Sequence, residues 1–373
     1  MRVLIVGAGV GGLAAARALS TDGHDVTVHE QAASLRQGGA AVTLWSNGSG
    51  ILSELKVSLD GIGAPIDALE QRAYDGKVLI SIDVARAAIH YGHPHVCLPR
   101  RRLLDRLAEG LPAEMIRFGC TCTKVTQDGT SVLVEFDDGS TETCDVLIGA
   151  DGRNSVIRNT VWGHDPAELT GMATWQGVSP LSIDITSSRR GVMIIGPTGM
   201  CGLMPAGEGL LQWWFDQRWT PRAPAPASPV AMLRDRFGSW AAPVPQVLAA
   251  VSDDETGFFP HYRHKVPSSW GKGRITLVGD AAHSMPPTRA QGANQALEDA
   301  WALAAALRRG TGDLPGTLRG YERARAPKAG LVARQAGKED ISKYRPWLTR
   351  LLPEAMLSRY YTRWLGQVSN YLP

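Results

Sequence analysis

The chain has 373 residues, with 39 Lys and Arg against 36 Asp and Glu and a net charge of +3 at pH 7. This length is more than one simple hydrophobic core organises, so we expect two domains. The charges are interspersed and form no basic stripe, which argues against nucleic-acid binding. No apolar run reaches the ~18 residues of a membrane helix, and five scattered cysteines are typical of a reduced, cytoplasmic protein.

A glycine-rich turn lies near the start of the chain, between a short apolar strand and an alanine-rich helix. Its GxGxxG pattern is formed by Gly7, Gly9 and Gly12. Gly7 permits a tight turn, Gly9 lets the backbone approach a pyrophosphate, and Gly12 permits close packing of the helix on the strand. A second strand over 25–29 ends at Glu30, near the offset at which a carboxylate binds a ribose. This segment predicts a dinucleotide-binding βαβ unit.

Two later apolar strands also end in pairs of glycine and aspartate. The second strand of a predicted hairpin runs into Asp151 and Gly152, and a strand much further along runs into Gly279 and Asp280. Such buried strands with polar ends are typical of a parallel sheet that holds a ligand at the carboxyl ends of its strands.

A long helix follows the second of these pairs. We expect it to begin near Ala293 or Asn294, just after Gly292, and to end at Arg309 before Gly310. Its N-terminal amides would favour a negatively charged ligand edge beyond the strand. The alternative is an ordinary loop with an asparagine cap.

In this order and spacing, the three motifs resemble those of the flavoprotein aromatic hydroxylases, the class A FAD monooxygenases related to p-hydroxybenzoate hydroxylase. The segment 39–48 and the pattern Arg100-x-x-Leu103 are similar to this family as well. The chain departs from many relatives at Arg289-Ala290, where they carry glycine. The resemblance covers nearly the whole chain.

The resemblance implies an α/β fold. A Rossmann-like FAD-binding domain of the GR2 type is expected together with an interleaved antiparallel β-sheet substrate domain and a C-terminal helical tail. We expect the tail to pack on the FAD domain, with a dimer contact or a membrane-surface helix as alternatives. The expected segments are 1–72, 96–170 and 259–325 for the FAD-binding domain, 73–95 and 171–258 for the substrate domain, and 326–373 for the tail.

The family's chemistry implies non-covalent FAD, with NAD(P)H and O₂ as co-substrates. The expected reaction is hydroxylation of an electron-rich aromatic or heteroaromatic small molecule through a C4a-hydroperoxyflavin, with no catalytic side chain and no metal. Alternatives on this fold are a flavin-dependent halogenase or dehydrogenase, or a non-catalytic FAD-binding redox protein. We expect a monomer or a homodimer.

Cofactor contacts follow from the same resemblance. Glu30 is expected to hold the ribose, Arg36 and Arg100 to touch the FAD, and Asp280 to bond the ribityl and pyrophosphate region. The full set of expected FAD-binding residues is Gly7, Gly9, Gly12, Glu30, Arg36, Arg100, Asp151, Gly152, Gly279, Asp280, Gly292, Ala293 and Asn294.

The substrate side is predicted from alternation in the strand 210–216. One face carries only apolar residues, among them Trp213, and is typical of a packed core. The other face is mixed and includes Gln212 and Trp214. A ligand pocket combines apolar walls with few polar groups, so these two residues, with Met200, are the candidates for binding substrate. The alternative is a surface or interface face.

Histidines near the third motif are ambiguous from sequence alone. His283 lies inside the motif and is predicted to be structural. His261 and His264 precede the third strand, and either a surface position or a function fits them.

Overall fold

Strands dominate the first two thirds of the chain, and helices gather toward its C-terminal end. The computed structural model describes residues 1–35, 40–221, 226–310, 312–337 and 352–373. The strands are β1 (Arg2–Val6), β2 (Asp25–Glu30), β3 (Ala41–Leu44), β4 (Ala64–Pro65), β5 (Ala68–Ala73), β6 (Val78–Asp83), β7 (Val96–Pro99), β8 (Ile116–Phe118), β9 (Cys122–Gln127), β10 (Val132–Phe136), β11 (Thr141–Cys144), β12 (Val146–Gly149), β13 (Glu168–Pro180), β14 (Arg190–Gly196), β15 (Gly199–Gly207), β16 (Leu210–Arg218), β17 (Gly257–Arg263) and β18 (Ile275–Leu277). The helices are α1 (Val10–Thr21), α2 (Ser46–Glu54), α3 (Ala85–Tyr91), α4 (Arg100–Ala108), α5 (Val156–Trp162), α6 (Pro229–Phe237), α7 (Val244–Ala250), α8 (Asp280–His283), α9 (Gly292–Arg309), α10 (Leu314–Ala336) and α11 (Glu354–Gln367).

A five-stranded parallel sheet organises the first domain, in the order β18-β12-β1-β2-β8. β1 and β12 are buried along nearly their whole length, as strands covered on both faces must be. α1 connects β1 to β2, and α9 packs against α1. The predicted Rossmann-like domain is confirmed.

The second strand of the predicted hairpin is split between two sheets. β9, β10 and β11 form a small antiparallel sheet, whereas β12 leaves it and joins the parallel sheet. Asp145 lies at the break, and its carboxylate accepts a hydrogen bond from the backbone N–H of Arg2 at 2.8 Å. The second strand of the predicted hairpin, which runs into Asp151, is therefore divided at Asp145.

A seven-stranded sheet forms the second domain, in the order β17-β13-β16-β15-β14-β5-β6. All neighbours are antiparallel except β14 and β5, which pair in parallel. All of β5 except Ala73, the first residues of β13 and the last residues of β17 lie outside the segments expected for this domain. Backbone pairing places all three in its sheet.

The two faces of the seven-stranded sheet meet different partners. One face packs with α6 and α7 around an apolar core that includes Trp213, Phe215 and Phe237. The other faces the first domain, and β3, β7 and α11 contribute to a second apolar cluster there. α11 itself packs mainly on β6 and α3. Within the described residues, no helix is long and apolar enough to cross a membrane.

Candidate active site

Of the three motif glycines in the turn after β1, Gly9 lies beside open space, whereas Gly7 and Gly12 are packed closely against backbone atoms. Gly7 has a φ of +107°, and a methyl group added to it would overlap the carbonyl oxygen of Ala150. A methyl at Gly12 would overlap the carbonyl oxygen of Gly7, so this helix packs as closely on the turn as glycine permits. A methyl at Gly9 meets no atom within 4 Å. Open space therefore lies beside the residue expected to approach a pyrophosphate.

Glu30 holds the turn from the neighbouring strand. Its side chain is buried, Oε2 accepts a hydrogen bond from the N–H of Ala8 at 2.8 Å, and Oε1 accepts one from Ala32 at 2.9 Å. Each carboxylate oxygen can accept more than one hydrogen bond. Glu30 therefore keeps acceptor capacity for ribose hydroxyls while the backbone fixes its orientation.

Asp151 ties the end of β12 to α5. Its Oδ2 accepts hydrogen bonds from the N–H groups of Val156 at 2.7 Å and Ile157 at 3.2 Å. Oδ1 is buried and has no hydrogen-bond partner among the described residues. Burial raises the pKa of Asp151 above its usual value. Gly152 follows with a φ of +78°, which turns the chain away from the sheet.

The third motif combines a tight turn with the start of the long helix. Gly279 has a φ of +60°, and Asp280 after it is exposed. α9 begins at Gly292, one or two residues before the predicted start, with Gln291 as its N-cap, and it ends at Arg309 as predicted. Gly292 and Ala293 are partly exposed, so the first turn of the helix is accessible.

Asn294 points inward instead. Its Oδ1 accepts from the N–H of Trp45 at 2.9 Å, and its Nδ2 donates to the carbonyl oxygens of Thr43 and Ala290, each at 2.9 Å. The side chain joins α9 to β3 and is buried. Only its backbone is left to face a cofactor. Arg100 is the first residue of α4 and is partly exposed.

Strand order brings the three motifs together. β1, β12 and β18 are adjacent and parallel, so Gly7, Asp151 and Gly279 follow the carboxyl ends of neighbouring strands. Ligands of such sheets bind beyond this edge. The open space at Gly9 and the unpartnered oxygen of Asp151 fit a dinucleotide there. Arg36, the remaining predicted contact, lies outside the described residues.

Sequence reasoning missed a buried network of charges behind this edge. His283 Nε2 lies 2.6 Å from Asp299 Oδ2, which also accepts from the N–H of Gly279 at 2.8 Å. Arg325 donates to Asp299 Oδ1 at 2.8 Å and to Glu298 Oε2 at 2.7 Å. Burial alone would raise the pKa of Asp299, but the charges of His283 and Arg325 bring it below the usual value. The network fixes Gly279 and supports the structural role predicted for His283.

The second domain presents Gln212 and Trp214 toward the first. Gln212 Nε2 donates to the carbonyl oxygen of Ala41 at 3.3 Å. The Trp214 indole lies over Gly202, where a methyl group would overlap it. Met200 lies on the same face, two residues from Gly202 along β15, and is partly exposed. Trp213, with the opposite orientation, is fully buried in the core.

A polar cluster lies next to Met200 on this face. Asp216 is the cross-strand neighbour of both Met200 and Thr174. Thr174 Oγ1 donates to Asp216 and lies 2.6 Å from His261 Nε2. Desolvation lowers the pKa of His261 to about 4. His261 and His264 are both buried, so the surface alternative is wrong for these two histidines.

Comparison with known proteins agrees with this geometry. A model of the FAD binding domain family matches residues 1–336. A FAD-dependent urate hydroxylase of Klebsiella pneumoniae subsp. pneumoniae is 30% identical over 92% of this chain and 90% of its own length. A 6-hydroxynicotinate 3-monooxygenase of Bordetella bronchiseptica is 30% identical over 89% of this chain and 90% of its own.

A solved structure extends the likeness to the fold. The crystal structure of Klebsiella pneumoniae HpxO complexed with FAD and uric acid superimposes with a TM-score of 0.90 at 26% identity, covering 98% of this chain and 97% of that one. The glycine turn, the strand-end motifs and these relatives agree on one family. The chain belongs to the class A flavoprotein aromatic hydroxylases, FAD-dependent monooxygenases that use NAD(P)H.

Proposed function

We propose that this enzyme hydroxylates a small, flat heteroaromatic or aromatic compound bound between the FAD-binding edge and the sheet face of Gln212, Trp214 and Met200. The observation that carries this proposal is the composition of that face. An indole and a thioether form an apolar wall, the Gln212 amide is held in place by Ala41, and the polar cluster of Asp216 lies at the Met200 end. Apolar walls with few fixed polar groups are typical of small-molecule sites.

The chain's residues would hold FAD at the carboxyl edge of the parallel sheet. Gly9 leaves room for the pyrophosphate, Gly7 and Gly12 let the turn and the helix pack closely beside it, and Glu30 offers its carboxylate to the ribose. The first amides of α9, from Gly292 onward, favour negative charge on the flavin ring. FAD held there and reduced by NAD(P)H would activate O₂, so that one oxygen atom enters the substrate ring and the other leaves as water.

The remaining cofactor contacts are proposed from where the residues lie relative to the carboxyl edge of the parallel sheet. Asp280 is exposed at the strand end and can accept hydrogen bonds from the ribityl and pyrophosphate region. Arg100 begins α4 directly after β7, and Asp151 and Gly152 shape the turn beside Gly7. Asn294 contributes through its backbone and by holding the loop of Trp45.

The substrate-side residues would perform two tasks. Gln212 would orient the ring through a hydrogen bond, and Trp214 would exclude water from the reacting atoms. Excluding water matters because the activated oxygen is otherwise lost as H₂O₂. The names of two relatives point to nitrogen heterocycles, urate and 6-hydroxynicotinate. We therefore propose a hydroxylated or amino-substituted ring of similar size as substrate.

The test compares two adjacent tryptophans. Purified enzyme is screened for aromatic compounds that stimulate NAD(P)H oxidation, and product mass is measured. With an active compound, Trp214→Ala should release more H₂O₂ per hydroxylated product while FAD binding stays intact. Gln212→Leu should raise KM about tenfold, as expected for one lost hydrogen bond in a dry site.

Trp213→Ala is the matched control, since its side chain faces the opposite core. It should lower stability by about 3–5 kcal/mol and leave coupling unchanged. Loss of coupling in Trp213→Ala with a normal Trp214→Ala would contradict the proposed face. Flavin binding without any ligand-stimulated NAD(P)H oxidation would indicate a redox protein instead.

A further inference from the structure

The turn between β15 and β16 holds a glutamate in a backbone conformation that suits glycine. Glu208 has a φ of +54°, between Gly207 at +86° and Gly209 at +72°. A positive φ is uncommon for residues with a side chain, because the Cβ atom crowds the backbone. Glycine would form this turn without that penalty. We therefore expect the Glu208 side chain to make a contact that offsets it.

That contact is an ion pair between the two domains. Arg102 Nη2 lies 3.0 Å from Oε1 and 2.9 Å from Oε2 of Glu208. Arg102 is in the first turn of α4, which packs against α1 in the first domain. Its neighbour Arg101 instead pairs with Asp105 on the same helix, at 3.7 Å. The Arg102–Glu208 pair thus connects the FAD-binding domain to the hairpin of β15 and β16.

Two further contacts hold this hairpin against the first domain. A methyl group added to Gly207 would overlap backbone atoms of Gly63, so the hairpin tip touches the residue before β4 directly. Further along β16, Gln212 Oε1 accepts a hydrogen bond from the thiol of Cys97 on β7 at 3.6 Å. Cys97 is fully buried. We call these contacts the interdomain seam; it runs from exposed Glu208 to buried Cys97.

The seam and the proposed substrate face share one strand. Glu208 precedes β16, and Gln212 and Trp214 lie on that strand. β16 is paired along its length with β13 and β15, so a shift of the hairpin tip is carried along the sheet. A displacement of about 1 Å at a substrate-holding group is enough to lower a reaction rate substantially. The contact that holds the tip therefore also sets where the substrate face lies.

We propose that Arg102 and Glu208 are positioning residues, whose ion pair closes the interdomain seam and fixes the substrate face over the FAD-binding edge. They act through Gln212 and Trp214 and do not touch the reacting atoms. An exposed ion pair shifts an equilibrium by about fivefold or less, so this pair adjusts the closing of the seam while apolar packing holds the domains together. This role rests on the proposed function, because it concerns how the same substrate face is held.

Alkylation of Cys97 measures the seam without any substrate. A buried thiol reacts only when the structure around it opens, so its rate follows the opening equilibrium. FAD-loaded enzyme is treated with iodoacetamide, and the modified peptides are quantified by mass spectrometry. Arg102→Glu and Glu208→Arg replace attraction by repulsion, and each should raise the Cys97 rate about fivefold. Cys201 lies in the opposite core and should keep its rate.

Charge exchange separates the ion pair from the individual side chains. The double variant Arg102→Glu with Glu208→Arg restores the attraction in reverse, so its Cys97 rate should return to within about twofold of the wild type. Arg101→Glu is the matched control, because it makes the same charge change at the neighbouring residue of α4. It should leave the Cys97 rate unchanged.

Glu208→Gly separates positioning from stability. It removes the ion pair together with the left-handed strain, so the melting temperature should stay the same or rise. Cys97 should nevertheless react about two- to fivefold faster. A residue that only stabilised the fold would not give this combination.

Hydroxylation provides the second readout. With an active aromatic compound, each single charge reversal should release about two- to fivefold more H₂O₂ per hydroxylated product, because the displaced face admits water. The double variant should recover the coupling of the wild type. FAD content should stay constant throughout.

Four results would overturn this assignment. They are an unchanged Cys97 rate in both single reversals, a double variant no better than either single one, equal increases at Cys97 and Cys201, and faster Cys97 alkylation with unchanged coupling. The proposed function is judged separately, by whether any aromatic compound stimulates NAD(P)H oxidation. If none does, the alkylation rates still decide whether the ion pair closes the seam.

Discussion

Single residues in this protein show how burial decides protonation, and His261 is the clearest case. Desolvation lowers its folded-state pKa to about 4, from 6.5 in an exposed chain. Between these values the unfolded chain binds a proton that the folded chain does not. The contribution of neutral His261 to the free energy of unfolding is therefore fully present above pH 6.5 and is lost as the pH falls toward 4.

We expect His261 alone to lower the free energy of unfolding by up to about 3 kcal/mol at the acid end of that range. Urea unfolding of the wild type and His261→Gln between pH 4 and 7 measures it, and the variant should lose less stability on acidification. His90→Gln, at an exposed position on α3, is the control and should follow the wild type. Parallel curves for all three proteins would show that His261 does not control acid stability.

At this scale, sequence reasoning succeeded where a local period decided the answer. Alternation along β16 separated Trp213, in the core, from Gln212 and Trp214 on the other face. It failed where the partners are distant in sequence. The contact of Asn294 with Trp45 joins residues 249 positions apart, and no local pattern records such a pairing.

Among the elements, α9 and the turn before it show the effect of the departure at Arg289-Ala290. Ala290 has φ 48° and ψ 37°, the left-handed region that glycine adopts without penalty. The loop keeps the path that glycine would favour, at the expense of backbone strain of about 1–2 kcal/mol.

Ala290→Gly should relieve part of this strain. We expect a gain in stability of about 0.5–1 kcal/mol after the added freedom of the unfolded chain is counted. The urea midpoint of the FAD-loaded enzyme measures it. Ala302→Gly, inside α9 and partly exposed, is the matched control and should lose about 1 kcal/mol. Destabilisation by both substitutions would mean that the Ala290 methyl contributes more through packing than it costs in strain.

Most elements of the first domain could be predicted because each motif carries its own turn chemistry. Gly7, Asp151 and Gly279 mark strand ends by glycine and aspartate, and the end of α9 is marked by Gly310. The place of β5 could not be predicted in this way. Its parallel pairing with β14 joins segments far apart in sequence, and it places β5 in the seven-stranded sheet.

Across the whole molecule, the last residues of the chain are built into the buried network behind the FAD-binding edge. Asn370 Oδ1 accepts from Arg325 at 2.7 Å, and the N–H of Asn370 donates to Glu298 Oε2 at 2.7 Å. Gln295 Nε2 donates to the carbonyl oxygen of Val368 at 3.0 Å. The C-terminal segment therefore takes part in the cofactor domain's core.

Asn370→Ala should destabilise the protein by about 1–3 kcal/mol, because it removes an acceptor from the buried Arg325. Because Arg325 also holds Asp299 and hence Gly279, we expect faster loss of FAD on gel filtration. Flavin absorbance per protein and the urea midpoint are the measurements. Gln367→Ala, exposed on the last turn of α11, should change neither. Normal FAD retention in a destabilised Asn370→Ala would limit the network to a role in folding.

Strand order also sets when the molecule can fold as it is made. β1 is synthesised first, yet its neighbour β12 comes at Val146–Gly149, and β18, next in the sheet, at Ile275–Leu277. At typical ribosomal rates of 5–20 residues per second, the edge of β1 waits for β12, and the edge of β12 then waits for β18. The two delays together last on the order of 10 to 50 s. Unpaired edges of this kind are where chains associate with one another. Slow translation should thus lower the yield of folded protein, and chaperones that cover strand edges should raise it.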